Sequence, residues 1–210
     1  QDEAHRDRAR HIFEALRRLA SWDTGRAYYQ APGAWRDNQW HRIGGDTYPW
    51  IVDPVAEYWD ITGDGEALDF ACAFADGMIA SLQPGLGAGT VGADGSYRSH
   101  AHVHLHAISG VPHLGALISE PRYIEWGRRV YEYVRNMGTD YGWFPESYPH
   151  DDHVRHTEIC LIADVMYLVT WLAEAGYPEY FDDLERYARN ILRLSQFHAT
   201  KEYEDLYRDV

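Results

Sequence analysis

The sequence has few cysteines, no long apolar run and a shortage of basic residues. Two cysteines in 210 residues cannot build the disulfide framework that stabilises many small secreted domains. No apolar stretch approaches the roughly 20 residues that span a bilayer, so we predict no membrane-spanning helix. There are 19 Lys and Arg against 33 Asp and Glu, and the formal net charge is −14. This acidity argues against nucleic-acid partners and anionic membranes, which both bind basic surfaces.

Several common signatures are missing as well. The first residues include neither an initiator methionine nor the apolar stretch of a signal peptide, so we expect a processed, trimmed or partial chain. The missing leader favours a cytoplasmic location, although secretion followed by cleavage fits the same residues. The Gly-rich stretch 85–95 lacks the Gly-Lys-Ser/Thr of a phosphate loop, and no nucleophile elbow is present.

The residues that are abundant point to a globular chain with many aromatic rings. Hydrophobic residues make up 45% of the sequence, and there are 8 Trp, 16 Tyr and 6 Phe. Such a chain can bury a sizeable core and still line a cleft with rings. The length suits a single domain over residues 1–210.

Helical periodicity dominates the sequence, with apolar residues recurring every three or four positions. It predicts seven helices, over residues 2–20, 52–61, 65–83, 102–118, 121–137, 157–175 and 178–196. Three helix–turn–helix joints recur at Gly63, Glu120 and Gly176, which lie 57 and 56 residues apart. In each pair one helix is mostly apolar and its partner has a charged face, so the pattern predicts an array of helical hairpins.

Hairpins of this length stack into an open solenoid or into a closed double ring of helices, the (α/α)6 toroid. The toroid is favoured because long aromatic loops at 22–50, 84–100 and 139–156 are predicted at one end and short turns at the other. A closed ring needs about 340 residues, six such periods. We therefore expect an incomplete, all-α, toroid-like array. It would be part of a longer enzyme or an open arc whose apolar ends are covered by a second copy, as a homo-oligomer.

A run of alternating histidines follows the Gly-rich loop: His100, His102, His104 and His106, with His113 further on. On a strand the first four would share one face. On a helix, His100 and His104 share one face and His102 and His106 another. In either conformation two imidazoles can converge on a metal ion or a sugar, and we expect His100, His102 and His104 to bind substrate. The alternative is a helix start whose histidines are hydrogen-bonded in the core.

Glu146 lies in a loop rich in aromatic residues, three positions after Trp143. Apolar surroundings would raise the pKa of its carboxyl toward the working pH, which makes Glu146 a candidate general acid or base. Trp143 is expected to contact substrate. The alternative is an ordinary exposed loop glutamate.

A third cluster opens an inner helix and contains His153, His156, Thr157, Glu158 and Cys160. Thr157 is a suitable N-cap. Glu158 and Cys160, two positions apart, can reach one metal ion if the helix begins there, and zinc accepts both ligand types. Alternatively, Glu158 is a first-turn acid favoured by the helix dipole and Cys160 a small wall residue. We expect Glu158 to be a second catalytic carboxylate and the two histidines to shape a sugar pocket.

The loop segments 35–42 and 46–50 combine tryptophans with hydrogen-bonding side chains. Flat rings stack on sugar faces and polar groups bond hydroxyls, so Trp40 and Asp46 are candidate substrate-binding residues. Core tryptophans beneath a long loop are the alternative interpretation.

From His102 to Leu192 the sequence resembles the catalytic toroid of the β-L-arabinofuranosidase-like glycoside hydrolases. The shared order is a His-bearing helix start, a joint at 119–121, a Gly-containing loop that ends in Glu, and Glu-x-Cys opening an inner helix. The helix over 180–192 also resembles that family's helix with Glu-Arg and Asn-x-Leu. The resemblance covers about 90 residues, and the joint at 60–68 more loosely.

The resemblance implies a role for each matched residue. Glu146 would be the general acid/base, Glu158 and Cys160 two ligands of a zinc ion, and His100 or His102 a pocket histidine. The family's nucleophile is a cysteine of a Cys-Cys pair, and this sequence contains no such pair.

Three functions fit these residues. We expect a glycoside hydrolase acting on an oligo- or polysaccharide, in which Glu146 protonates the leaving oxygen and a second carboxylate or a thiolate completes the site. The second interpretation is a polysaccharide lyase or sugar epimerase, in which His and Tyr abstract a proton and Arg98 or Arg155 neutralises a uronic carboxylate. The third is a non-catalytic carbohydrate-binding repeat protein, for which the aromatic loops suffice.

Overall fold

A computed structural model shows a mostly helical chain. It describes residues 3–29, 50–80, 91–97, 100–148, 156–196 and 200–201, together with the backbone of 33–36, 39–42 and 99. Within these residues no helix has the length and apolar character needed to cross a membrane.

The helix bounds follow the periodic segments of the sequence. The α-helices are α1 (Glu3–Leu19), α2 (Val52–Thr62), α3 (Gly65–Ile79), α4 (Ala101–Ile118), α5 (Pro121–Met137), α6 (Ile159–Glu174) and α7 (Tyr180–Tyr187), and α7 continues into a π-helical turn, Ala188–Leu192. Short strands form antiparallel pairs: β1 (Ser21–Asp23) with β2 (Arg26–Tyr28), β3 (Gly33–Arg36) with β4 (Gln39–Arg42), and β5 (Ser99–His100) with β6 (Ser147–Tyr148). The all-α prediction is therefore confirmed.

The turns between paired helices explain where each helix stops. Gly63 ends α2 in the left-handed conformation, with φ of 73°, and the Asp64 side chain then caps α3 by accepting the Glu66 N–H at 3.0 Å. Ser119 likewise ends α4 with φ of 57°, and Glu120 caps α5. These caps turn the chain back on itself and produce the hairpins α2/α3, α4/α5 and α6/α7.

The first helices of the hairpins form a row in which α4 packs against α2 on one side and α6 on the other. In the second and third hairpins the apolar helix lies in this row, as predicted. In the first hairpin α3 is as well covered as α2, because α1 and the β1–β2 pair pack over it. Phe13 of α1, for example, lies edge-on against Phe70 of α3 with ring centroids 6.0 Å apart.

Helices α4 and α6 run in the same direction. Near their N-termini His102 of α4 meets Asp164 of α6. About three turns further along α4 and two turns further along α6, His113 stacks on Trp171 with ring centroids 3.7 Å apart. The start of α4 and the start of α6 therefore lie at the same end of the row. This is the end where the sequence predicted the long loops.

Candidate functional site

Main-chain hydrogen bonds join three distant segments at this end of the row. His100 pairs with Ser147 in the β5–β6 ladder. The next residue, Ala101, donates its N–H to the carbonyl of Glu146 at 2.7 Å, and the Glu146 N–H bonds the carbonyl of His156 at 3.3 Å. These bonds fix three segments relative to one another: the start of α4, the loop after α5 and the approach to α6. Each carries one candidate residue, namely His100, Glu146 and His156.

Buried aromatic rings support this junction from below. Tyr97 packs edge-on against Tyr148 at 5.2 Å, and Phe144 packs edge-on against Tyr187 at 5.4 Å. Burial raises the pKa of both Tyr97 and Tyr148, so both phenols remain neutral around the site. The backbone that carries His100 and Glu146 therefore rests on a rigid apolar floor.

Three side chains converge above that floor. The His100 Nε2 lies 3.0 Å from Glu158 Oε2 and 3.6 Å from Glu146 Oε1. One ligand atom from each of His100, Glu146 and Glu158 lies within 4.8 Å of the others, and all three residues are half-buried. His156 adds a second imidazole, whose Nε2 contacts the other oxygen of Glu146.

The local electrostatics favour negative charge at this position. Two carboxylates within 4.8 Å repel each other unless positive charge or a shared proton lies between them. The imidazoles of His100 and His156 can supply that charge, and α4 and α6 both begin here with the positive ends of their dipoles. A pair of carboxylates with an imidazole between them can hold, donate or accept a proton.

Cys160 adjoins the cluster through Glu158. Its thiol donates to Glu158 Oε2 at 3.7 Å, and burial followed by the charge of Glu158 raises the pKa of this thiol. The raised pKa keeps Cys160 protonated near neutral pH. The predicted cap is wrong. Glu158 occupies the N-cap of α6 without a side-chain capping bond, and among the described residues the buried Thr157 hydroxyl has no partner.

The structure therefore brings together His100, Glu146, Glu158 and His156, which the sequence singled out separately. His102 follows directly, with its ring 6.1 Å from that of His100. Trp143 lies half-buried in the turn that leads to Glu146, where its backbone N–H donates to the Thr139 hydroxyl oxygen at 3.1 Å.

His104 differs from the expectation that it binds substrate. It is completely buried, its Nδ1 is 2.9 Å from the His100 carbonyl oxygen, and its ring stacks on Tyr97 at 5.6 Å. The reason is helix geometry, since a residue two positions along from His102 points to the opposite side of α4.

Five of the candidate residues cannot be placed. Asp46, His153, Arg98 and Arg155 lie outside the described residues, as does the side chain of Trp40.

Sequence reasoning missed the residues that hold the histidines of α4. Asp164 accepts from the Nδ1 atoms of both His102 and His106, the second at 2.8 Å. The signal was available, because Asp164 is the one charged residue in α6 before its last position, and an acid in so apolar a helix needs a buried partner.

A second polar cluster links all three helices of the row. His113 of α4 is 2.5 Å from Asp53 Oδ1 of α2, and the Tyr167 hydroxyl of α6 donates to the same oxygen at 2.8 Å. His113 is only 3% exposed and is covered by the Trp171 ring, so this cluster is a structural link between helices.

No protein-family model matches the sequence, and no curated protein matches it.

Proposed function

We propose that the chain is a carbohydrate-active hydrolase that cleaves a glycosidic bond with Glu146 as general acid/base. The observation that supports the proposal is the convergence of Glu146 and Glu158 on His100. Glycosidic cleavage commonly uses two carboxyl groups that flank one bond. The resemblance to the β-L-arabinofuranosidase-like hydrolases supports Glu146 as the general acid/base, whereas it implies a zinc ligand at Glu158.

In this proposal the pair acts with retention of anomeric configuration. Retaining glycosidases hold their carboxyl groups about 5–5.5 Å apart and inverting ones about 6.5–9.5 Å apart. One oxygen of Glu146 and one of Glu158 lie within 4.8 Å of each other, which is compatible with the shorter spacing. In this proposal Glu158 attacks the anomeric carbon while Glu146 protonates the leaving oxygen, and His100 and His156 hold the two carboxylates.

The test compares Glu146→Gln and Glu158→Gln with the wild-type chain on a panel of aryl glycosides and oligosaccharides. Each substitution keeps the side-chain shape, but Glu146→Gln removes the proton donor and Glu158→Gln the nucleophilic carboxylate, so we expect turnover to fall by about 10²–10⁴-fold. Glu174→Gln, an exposed glutamate at the far end of α6, is the matched control and should leave turnover unchanged. Undiminished turnover in Glu146→Gln would falsify the assignment, and proton NMR of the first product gives the anomeric outcome.

A metal-assisted hydrolase is the second candidate. The resemblance implies zinc on Glu158 and Cys160, and a group of donors that suits zinc is present in His100, Glu146 and Glu158. Cys160 Sγ, 3.7 Å from Glu158, lies beside this group. When bound, zinc would polarise a substrate oxygen. Here the glutamates would serve as ligands, while His156 would orient Glu146.

Chelation separates the two candidates. If the carboxylates act alone, dialysis against EDTA leaves turnover intact, and the purified chain carries no stoichiometric zinc by elemental analysis. If a metal takes part, EDTA abolishes turnover, zinc restores it, and His100→Ala lowers the bound zinc. We expect the first result, since the proposal uses Glu146 as a proton donor and not as a ligand.

A further inference from the structure

An exposed aromatic platform lies beside the carboxylate pair. Trp50, just before α2, is 44% exposed, and its ring centroid lies 4.2 Å from that of His106 and 5.8 Å from that of His102. Its indole N–H donates to the carbonyl of Val103 at 3.2 Å, which fixes the plane of the ring. His102 in turn lies next to His100, so the platform adjoins the proposed catalytic group.

Asp164 determines which ring nitrogen of His102 and of His106 is left to bind a ligand. It is 6% exposed, and its two oxygens bond the Nδ1 atoms of His102 and His106. A carboxylate accepts hydrogen bonds, so each neutral imidazole carries its proton on Nδ1 and a lone pair on Nε2. Neither Nε2 has a hydrogen-bond partner among the described residues, and the side chains are 22% and 38% exposed. Each Nε2 lies on the opposite side of its ring from Asp164.

We propose that Trp50, His102 and His106 form a subsite for a neutral sugar ring next to the cleavage site, with Asp164 as the positioning residue. The indole would stack on the apolar face of the sugar. The two Nε2 lone pairs would accept hydrogen bonds from two of its hydroxyls. This inference rests on the proposed hydrolase function, because it places the subsite beside Glu146 and Glu158.

The neighbouring charges favour a neutral sugar over a uronic acid. Asp164, Glu146 and Glu158 surround the histidines with carboxylates, and an anionic sugar would add a further negative charge. Among the described residues the group whose ligand atoms converge as a metal site would is His100, Glu146 and Glu158, and it includes neither His102 nor His106.

Binding tests the subsite directly. The full chain carrying Glu146→Gln, in which we expect turnover to be about 10²–10⁴-fold slower, is applied to an immobilised panel of neutral and uronic oligosaccharides. We expect this variant to bind neutral members of the panel. When Trp50→Ala or His106→Ala is combined with Glu146→Gln, we expect binding to be about tenfold weaker. Trp22→Ala removes a similarly exposed indole on β1 and is the control that should bind normally. Binding to uronic members alone, no binding, or equal losses in all three variants overturns the proposal.

The role of Asp164 has its own readout. Ring nitrogen NMR of histidine-labelled protein should show His102 and His106 with the proton on Nδ1. In Asp164→Asn one carboxylate oxygen becomes an amide donor, so one of the two rings should move its proton to Nε2, and glycan binding should weaken without unfolding. Unchanged tautomers in this variant contradict the positioning role.

Failure of the subsite and failure of the hydrolase are distinguishable. If turnover is lost in Glu146→Gln but Trp50→Ala and His106→Ala both turn over substrate as fast as the wild type, the subsite is wrong and the hydrolase stands. If glycans bind through Trp50 and no glycoside is cleaved, the subsite stands and the hydrolase is wrong.

Discussion

Asp183 is the most completely buried carboxylate among the described residues, with 2% exposure on the inner face of α7. The Tyr131 hydroxyl of α5 donates to it at 2.6 Å, Arg186 contacts its other oxygen, and Arg135 lies 3.4 Å away. One side chain thus joins the third hairpin to Tyr131 and Arg135 of the second, while Arg186 of its own helix adds another cation. An ionised group that is this well buried is stable only while those partners are present.

Asp183→Ala should therefore lower the free energy of unfolding by about 3 kcal/mol, because it leaves a buried phenol and two arginines without their acceptor. Urea unfolding followed by far-UV circular dichroism measures the loss. Asp182→Ala, one position earlier and exposed, is the matched control and should be nearly neutral. Equal stability of both variants would show that the network contributes nothing.

Because the role of a residue depends on its partners, a sequence can suggest a functional residue but not the cluster that it joins. Glu146 and Glu158 could be singled out from their residue type and their place near predicted loop ends. Their meeting with His100 could not be derived, because it depends on main-chain bonds that pair the start of α4 with a segment more than 40 residues later in the chain. His104 was misjudged because alternation alone does not tell a strand from the first turn of a helix.

At the scale of elements, α2 and α4 approach each other closely at Gly110. A Cβ placed on Gly110 would lie 2.7 Å from the backbone nitrogen of Asp53, closer than packed atoms come. The obstacle is backbone, so no side-chain rotation relieves it. Glycine is therefore required at this crossing, and it also brings Asp53 within reach of His113.

Gly110→Ala should push α2 away from α4 and reduce the free energy of unfolding by about 1–3 kcal/mol, measured as a lower thermal midpoint in calorimetry. The shift should also weaken the His113–Asp53 contact. The control is Gly65→Ala in the first turn of α3, where an added Cβ meets nothing within 4 Å. That variant should be as stable as the wild type or slightly more stable. The reverse order of stability would contradict the close approach.

The helices were predictable from the sequence because each satisfies a local rule. Apolar spacing marks the buried face, and Asp64 or Glu120 marks the start of the helix that follows. The β5–β6 pair was not predictable, because two-residue strands carry no alternation and are defined only by their partner. The part of the fold that positions the site is therefore the part with the weakest sequence signal.

At the scale of the whole molecule, tyrosines dominate the behaviour at high pH. Burial raises the pKa of the Tyr29 phenol to about 12. Burial is also the first cause of raised pKa values at Tyr58, Tyr97, Tyr123, Tyr131, Tyr148, Tyr167, Tyr180 and Tyr187. These phenols lie on most of the helices and on the floor of the candidate site, so they report on the fold as a unit.

Alkaline unfolding should consequently be cooperative. In the unfolded chain tyrosines lose their protons near pH 10, whereas Tyr29 in the folded chain keeps its proton to about pH 12. Between these values the unfolded state binds fewer protons, so the free energy of unfolding falls as pH rises. Below this window the phenols are protonated in both states and do not make stability depend on pH. The near-ultraviolet tyrosinate absorbance of these nine phenols should therefore rise in one step together with the loss of helical circular dichroism. A gradual rise that is complete before the helices melt would mean that the phenols are accessible, and that the aromatic floor beneath His100 and Glu146 is not closed to water.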